Sequence, residues 1–143
     1  MTNRYPTYLE SIDAAALLRD YPLAASFDAS IARLSAAARR ELQQQRFARC
    51  GARAWQIPFY QRLWRNAGLE PGDVRGLDDI GKLPIFSKSD LMASLAEFPP
   101  YGDYHGMEHW PLAVRPPVVV HTTSGTTGRP QIVFFSPKAR EVQ

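Results

Sequence analysis

The sequence predicts an α/β chain in which a helical N-terminal region leads into a strand, a loop and a second strand. Three observations predict it. No proline occurs from Leu23 to Ile57, and because proline clashes inside a helix and lacks its amide donor, that gap permits one long helix. Val118–His121 and Ile132–Phe135 are β-branched or aromatic runs of strand length. Between them, Thr122–Pro130 is rich in Thr, Ser and Gly, the composition of a loop.

In chain order, a short helix is expected over Tyr8–Arg19. The long helix is expected from about Ala29, because Ile31, Leu34, Ala38, Leu42, Ala48, Ala52 and Trp55 recur at helical steps with one polar break near Gln45. Asp28 or Ser26 could cap it, and the alanines after Ser35 cost little side-chain entropy. Pro58 opens a new first turn; Phe59, Leu63 and Trp64 share one face, whose spacing favours core packing over an aromatic substrate pocket. Gly68 is placed as a C-terminal cap. Pro71-Gly72-Asp73 reads as a turn, Leu77–Ile80 as a short helical piece closed by Pro84, and Ser87 with Asp90 as a capping box for a further helix. From Pro99 the mixture of Pro, Gly and aromatic residues describes an irregular loop up to Val118, and after the second strand Ser136-Pro137 opens a helix at Lys138.

A length of 143 residues fits one domain. Hydrophobic residues at 45% and charged residues at 22% describe a globular chain and exclude disorder. A net charge of +3 is too small to argue for nucleic acid, which is not expected as a partner. No apolar run approaches the ~18 residues that cross a bilayer, and Met1–Ser11 lacks the apolar centre of a secretory signal, so a cytoplasmic chain with no membrane partner is expected. Cys50 is the single cysteine; it allows no intrachain disulfide and is expected as a small buried hydrophobe.

Charge is concentrated. Residues 33–65 hold arginines 33, 39, 40, 46, 49, 53, 62 and 65 against Glu41 alone, a local +7. Arginines 39, 46 and 53 share a helical face, but no aromatic side chains interleave as stacking platforms, so a solvated face is favoured over an acidic partner. His105-Gly106-Met107-Glu108-His109 matches an inverted zinc-hydrolase pattern that needs both imidazoles on one helix; the neighbouring glycines and the Trp110-Pro111 step favour a loop, and no metal site is assigned. His121, at the end of a strand, is a weak candidate for a cofactor site beside the ordinary reading of a structural histidine.

The segment Thr123-Ser124-Gly125-Thr126-Thr127-Gly128-Arg129-Pro130 is the one whose composition folding alone explains poorly. Five hydroxyls fall among the six residues Thr122–Thr127, and two glycines allow the backbone amides to approach an anion closely. Arg129 would add charge-assisted bonds. There is no Walker Gly-Lys-Ser or Gly-Lys-Thr and no dinucleotide fingerprint. A Thr-rich hairpin turn has the same composition and stands as the bland alternative.

This run resembles the phosphate-binding signature of the adenylate-forming (AMP-binding) superfamily. Pro58-Phe59-Tyr60 with Trp64 and Gly68, Leu83-Pro84, and Ser87-Lys88-Ser89-Asp90-Leu91 are similar to the N-terminal region of its phenylacetate-CoA ligase-like branch, over roughly Trp55–Gln143. The resemblance implies a helical region over residues 1–56 and the start of an AMP-binding ligase domain, incomplete, over 57–143. It implies an ATP-dependent acyl- or aryl-CoA ligase: a small-molecule carboxylate and ATP give acyl-adenylate, which coenzyme A converts to a thioester. Thr123, Ser124, Gly125, Thr126, Thr127, Gly128 and Arg129 would contact the nucleotide, with Mg²⁺ as a further cofactor. Arg129 stands where the family often has lysine, which keeps the charge and changes its geometry. The family's adenine, acyl and catalytic segments lie downstream of such a loop, so no catalytic or metal residue is assigned here and the chain is expected to be an inactive N-terminal fragment. It is expected to associate with itself or with a complementing C-terminal portion. The opposing reading is a non-catalytic phosphate-binding remnant or a helical interaction module.

Overall fold

The computed structural model describes residues 5–107, 115, 117–123 and 130–143. These fall into two compact units, a helical unit within Ser35–His109 and a hairpin unit built from the first 34 residues and the stretch after His109. The fold is mostly helical with one two-stranded sheet among the described residues.

In the hairpin unit, Leu9–Ser11 forms a 3₁₀ turn, followed by α1 (Ala14–Asp20) and α2 (Ala24–Ala29). The single helix expected over Tyr8–Arg19 is therefore divided. Asp13 divides it, because its carboxylate accepts the Ala16 amide at 2.9 Å and so competes as a cap with helix continuation. The long helix likewise starts later than expected. Ser26 and Asp28 lie inside α2, Leu34 is extended at ψ 134°, and α3 (Ala36–Ala54) is capped by Ser35, whose hydroxyl accepts the Ala38 amide at 3.2 Å. Strands β1 (Val119–Thr122) and β2 (Ile132–Phe135) pair antiparallel, with Val119 opposite Phe135 and Thr122 opposite Ile132. Ser136 then caps α6 (Pro137–Val142), accepting the Ala139 amide at 3.2 Å, with proline at the first turn where its missing amide costs nothing.

The helical unit contains α3, α4 (Pro58–Asn66), a 3₁₀ segment over Leu77–Lys82, and α5 (Lys88–Glu97). Phe59, Trp64 and Leu91 are its buried apolar side chains. Trp55 meets Trp64 edge-on at 4.9 Å, and Phe59 meets Phe86 edge-on at 5.4 Å, so the aromatic residues of α4 are core, as their spacing predicts. Gly68 takes φ +78° after α4, as expected of a C-terminal cap.

The inward side of α3 agrees with the expected stripe at Leu42, and at Trp55 just after it, both half-buried, and departs from it at Ala38, Ala48 and Ala52, which are exposed; Gln44, Phe47, Gly51 and Ala54 are half-buried as well, and so are Arg46 and Arg53, expected on a solvated face. Phe47 carries more apolar area than any alanine and takes the helix round with it, and Cys50, expected inside, is exposed in consequence. Gln44 also docks: its carboxamide donates to the Arg75 carbonyl at 3.2 Å and accepts from the Leu77 amide at 2.9 Å. A Cβ on Gly76 would lie 2.0 Å from Gln44 Nε2, so glycine is what lets the amide lie flat on this chain segment.

The capping box of α5 forms as expected. Asp90 accepts the Ser87 amide at 2.6 Å, while the Ser87 side chain meets the backbone of the third helical residue. Ser87→Ala should lower stability by about 1 kcal/mol in urea titration, the ordinary cost of a lost N-cap.

Candidate functional site

The hairpin brings the two ends of the hydroxyl-rich loop together. Beyond the last strand pair, the Thr123 amide donates to the Gln131 carbonyl at 3.0 Å, and the Gln131 amide donates back to Thr123 Oγ1 at 3.1 Å. Thr123 is thus the neck of the loop, and its hydroxyl serves as backbone substitute on one side. A hydroxyl has one donor and two acceptor positions, so this bond leaves the Thr123 O–H able to donate. Ser124, Gly125, Thr126, Thr127, Gly128 and Arg129 lie outside the described residues. His121 faces Val133 across the pair, and its ring meets Phe135 edge-on at 5.2 Å, which is a packing contact.

His105 lies in a bend and its Nδ1 accepts the Met107 amide at 3.0 Å, while Gly106 takes φ +68°. That left-handed conformation interrupts any helix through His105. Glu108 and His109 lie outside the described residues.

Sequence patterning missed two clusters. The first is in the helical unit. Asp103, only 5% exposed, receives two N–H groups from Arg62, one of them at 3.0 Å, and the Ser94 hydroxyl at 2.8 Å; Ser94, 3% exposed, also accepts the Asp103 amide at 3.0 Å. The guanidinium lies 4.7 Å from the Phe98 ring centroid. Burial alone would raise the Asp103 pKa, but the bonds from Arg62 and Ser94 outweigh it and hold the carboxyl below its ordinary range. Arg62 is therefore a structural anchor within the arginine block, and Arg40 pairs with Asp78 at 2.5 Å. Their partners lie 41 and 38 residues away, too far for any local spacing rule to reveal.

The second cluster is in the hairpin unit. Lys138 Nζ on α6 lies 3.3 Å from Asp20 Oδ2 and 5.5 Å from the Tyr21 ring centroid, and the Tyr8 hydroxyl donates to Glu141. The hydrogen bond to Glu141 raises the Tyr8 pKa, and the bond from Lys138 lowers that of Asp20.

The chain is 34% identical over 103 residues to phenylacetate-coenzyme A ligase of Thermus thermophilus and 31% identical over 96 residues to that of Escherichia coli, which is 68% and 66% of this chain. Among solved structures it is similar to 2-hydroxyisobutyryl-CoA ligase in complex with 2-HIB-AMP and CoA, at TM-score 0.58 and 34% identity over 73% of this chain. By sequence and fold this chain matches the N-terminal part of an adenylate-forming ligase of the phenylacetate-CoA ligase-like branch. The ligase-like chain spans about a fifth of the length of the relatives it matches, 20% of either curated ligase and 21% of the solved one. No protein-family model matches it. Among the described residues no helix is long and apolar enough to cross a membrane.

The donor set of the loop suits the phosphates of a nucleotide: hydroxyls, glycine amides and one guanidinium, on a neck closed by Thr123 and Gln131. For Mg²⁺ the loop offers hydroxyl oxygens but no carboxylate, and the described residues bring together no group of three His, Cys, Asp or Glu side chains.

Proposed function

We propose that this chain is the phosphate-holding N-terminal portion of an ATP-dependent acyl- or aryl-CoA ligase, with a helical region over 1–56 and the start of the nucleotide-binding domain over 57–143. In this reading Thr123, Ser124, Gly125, Thr126, Thr127, Gly128 and Arg129 contact the nucleotide. The hydroxyls of Ser124, Thr126 and Thr127 donate to phosphate oxygens, Gly125 and Gly128 bring amides close, and Arg129 offsets charge. ATP, when bound, offers an α-phosphorus that a small carboxylate attacks with loss of pyrophosphate, and the thiol of coenzyme A then displaces AMP to give the thioester. The chain's own contribution is preorganised donors on the phosphates, which stabilise charge without reorganising during the reaction. A cytoplasmic setting goes with this reading and with a chain whose single cysteine forms no internal bridge.

The observation that carries the reading is the 34% identity with phenylacetate-coenzyme A ligase of Thermus thermophilus, and the closed neck goes with it. Two reciprocal bonds between Thr123 and Gln131 fix where the hydroxyl-rich segment leaves and re-enters the sheet. Calorimetric titration of the chain with ATP in the presence of Mg²⁺ tests it. Saturable binding is expected, weakened roughly tenfold or more by Ser124→Ala and by Gly125→Val through the loss of charge-assisted bonds and of close backbone approach. Absence of saturable binding, or binding that both variants retain unchanged, would overturn the assignment.

A further inference from the structure

The loop's second strand does not end freely. β2 stops at Phe135, Ser136 caps α6 immediately after it, and Pro137, fully buried, anchors the start of that helix. α6 packs beside β2 and beside the 3₁₀ turn at Leu9–Ser11. Its outer side chains reach back to the beginning of the chain, Lys138 to Asp20 over 118 residues and Glu141 to Tyr8 over 133. Lys138 holds two partners at once, the Asp20 carboxylate and the Tyr21 ring. The mechanical route from the neck to the N-terminal segment is therefore short: Gln131, four residues of β2, the Ser136 cap, then α6.

We propose that the segment Tyr8–Tyr21 is a brace for the β1–β2 hairpin, and that Lys138 and Tyr8 are positioning residues that hold β2 in register at the Thr123–Gln131 neck. This deepens the nucleotide-binding reading and rests on it for its functional meaning, though not for its test. Without the brace, a two-stranded hairpin is marginal in water, since each strand has one partner and half of its backbone groups compete with solvent. With it, opening the neck requires α6 to leave Asp20, Tyr21 and Tyr8 as well. The contacts are solvent-accessible, so each contributes modestly; their effect comes from acting together on one six-residue helix.

Amide hydrogen exchange on the intact chain, without nucleotide, separates a brace from a merely local contact. In Lys138→Met, which keeps most of the aliphatic stem, the Thr123 and Gln131 amides should exchange roughly three- to tenfold faster. Lys138→Arg should restore wild-type rates, and Asp20→Asn together with Tyr8→Phe should reproduce the acceleration from the other side of the contact. The Leu91 amide on α5, in the helical unit, should stay unchanged throughout. Faster exchange confined to α6, with Thr123 and Gln131 as in the wild type, would overturn the brace; so would equal acceleration at Leu91, which means general unfolding. ATP titration of the wild-type chain reports separately on the nucleotide reading. A chain that fails to bind ATP but shows the neck acceleration refutes that reading and leaves the brace standing.

Discussion

Replacing Arg62 with methionine should lower the stability of the helical unit by about 2–3 kcal/mol, and it should do so through Asp103. The methionine keeps most of the aliphatic stem and removes the guanidinium, with its bonds to Asp103 and its contact with the Phe98 ring. Asp103 then remains 5% exposed with the Ser94 hydroxyl as its main side-chain partner. A buried carboxylate that loses its counter-ion must either take a proton or draw in water, and both cost free energy. The expected loss is set below the ~3–5 kcal/mol of a wholly buried pair because the Arg62 side chain is 43% exposed and part of its interaction is already screened. Urea titration followed by tryptophan fluorescence measures this, since Trp55 and Trp64 lie in the same unit. The double variant Arg62→Met, Asp103→Asn should recover part of the loss, because no charge is then left unpaired. A double variant no better than the single one would mean that Arg62 acts by packing alone.

The same pair sets an acid-side pH dependence. The folded Asp103 carboxyl lies below its ordinary value, so the unfolded chain binds more protons as pH falls towards about 4. Its contribution is complete above the unfolded value and is lost as pH drops through the folded one. Asp79, held down first by Lys82 and then by the Arg75 amide, and Asp90, held down by Ser87, act in the same direction. The wild-type midpoint in urea should therefore fall below about pH 4, and in Arg62→Met that fall should be shallower.

Gly102→Ala is expected to cost about 2–4 kcal/mol, combining left-handed strain with overpacking. Gly102 sits at φ +72°, and a Cβ there would lie 2.7 Å from Tyr104 Cε1 and 2.8 Å from Ser94 Oγ. The second contact is the damaging one. Ser94 holds both the amide and a carboxylate oxygen of Asp103, and it cannot retreat from a methyl group without releasing them. The turn is also tied by the Gly102 amide to the Phe98 carbonyl at 2.7 Å, which limits how far the backbone can move instead. Gly51→Ala is the matched control. A Cβ there meets nothing within 4 Å, and alanine in a helix interior should stabilise by about 0.5–1 kcal/mol. If both alanines gave the same change, conformational entropy alone would account for Gly102.

Local chemistry made the short elements legible. Ser87 with Asp90, Pro58 with Gly68, and Ser136 with Pro137 each announce a helix end within a few residues, and the ends form where those residues stand. The β-branched runs 118–121 and 132–135 form strands as expected to within one residue, and the structure adds that they pair antiparallel. Boundaries failed where two caps competed. Ser35 ended the expected extension of α3 towards Ala29, and Asp13 split the first helix, because a side-chain acceptor bonds a free amide wherever one is offered. The facing of α3 was legible at Leu42 and Trp55 and missed at the alanines, since periodicity finds a stripe but a large side chain outside it, Phe47, also turns inward.

By itself the sequence determined the type of most helices and of both strands, and the hydroxyl-glycine segment with its family resemblance; the element ends depend on residues within about one turn of each other. Only the tertiary structure decided that Arg62 finds Asp103, that Cys50 faces water, that Thr123 closes the neck with Gln131, and that Lys138 and Glu141 return to Asp20 and Tyr8. These pairings join residues 8 to 133 positions apart, and most of them depend on chain reversals, not on any local preference. Coulomb attraction and hydrogen bonding reward whichever polar groups packing brings together, so such partners become readable once the packing is known.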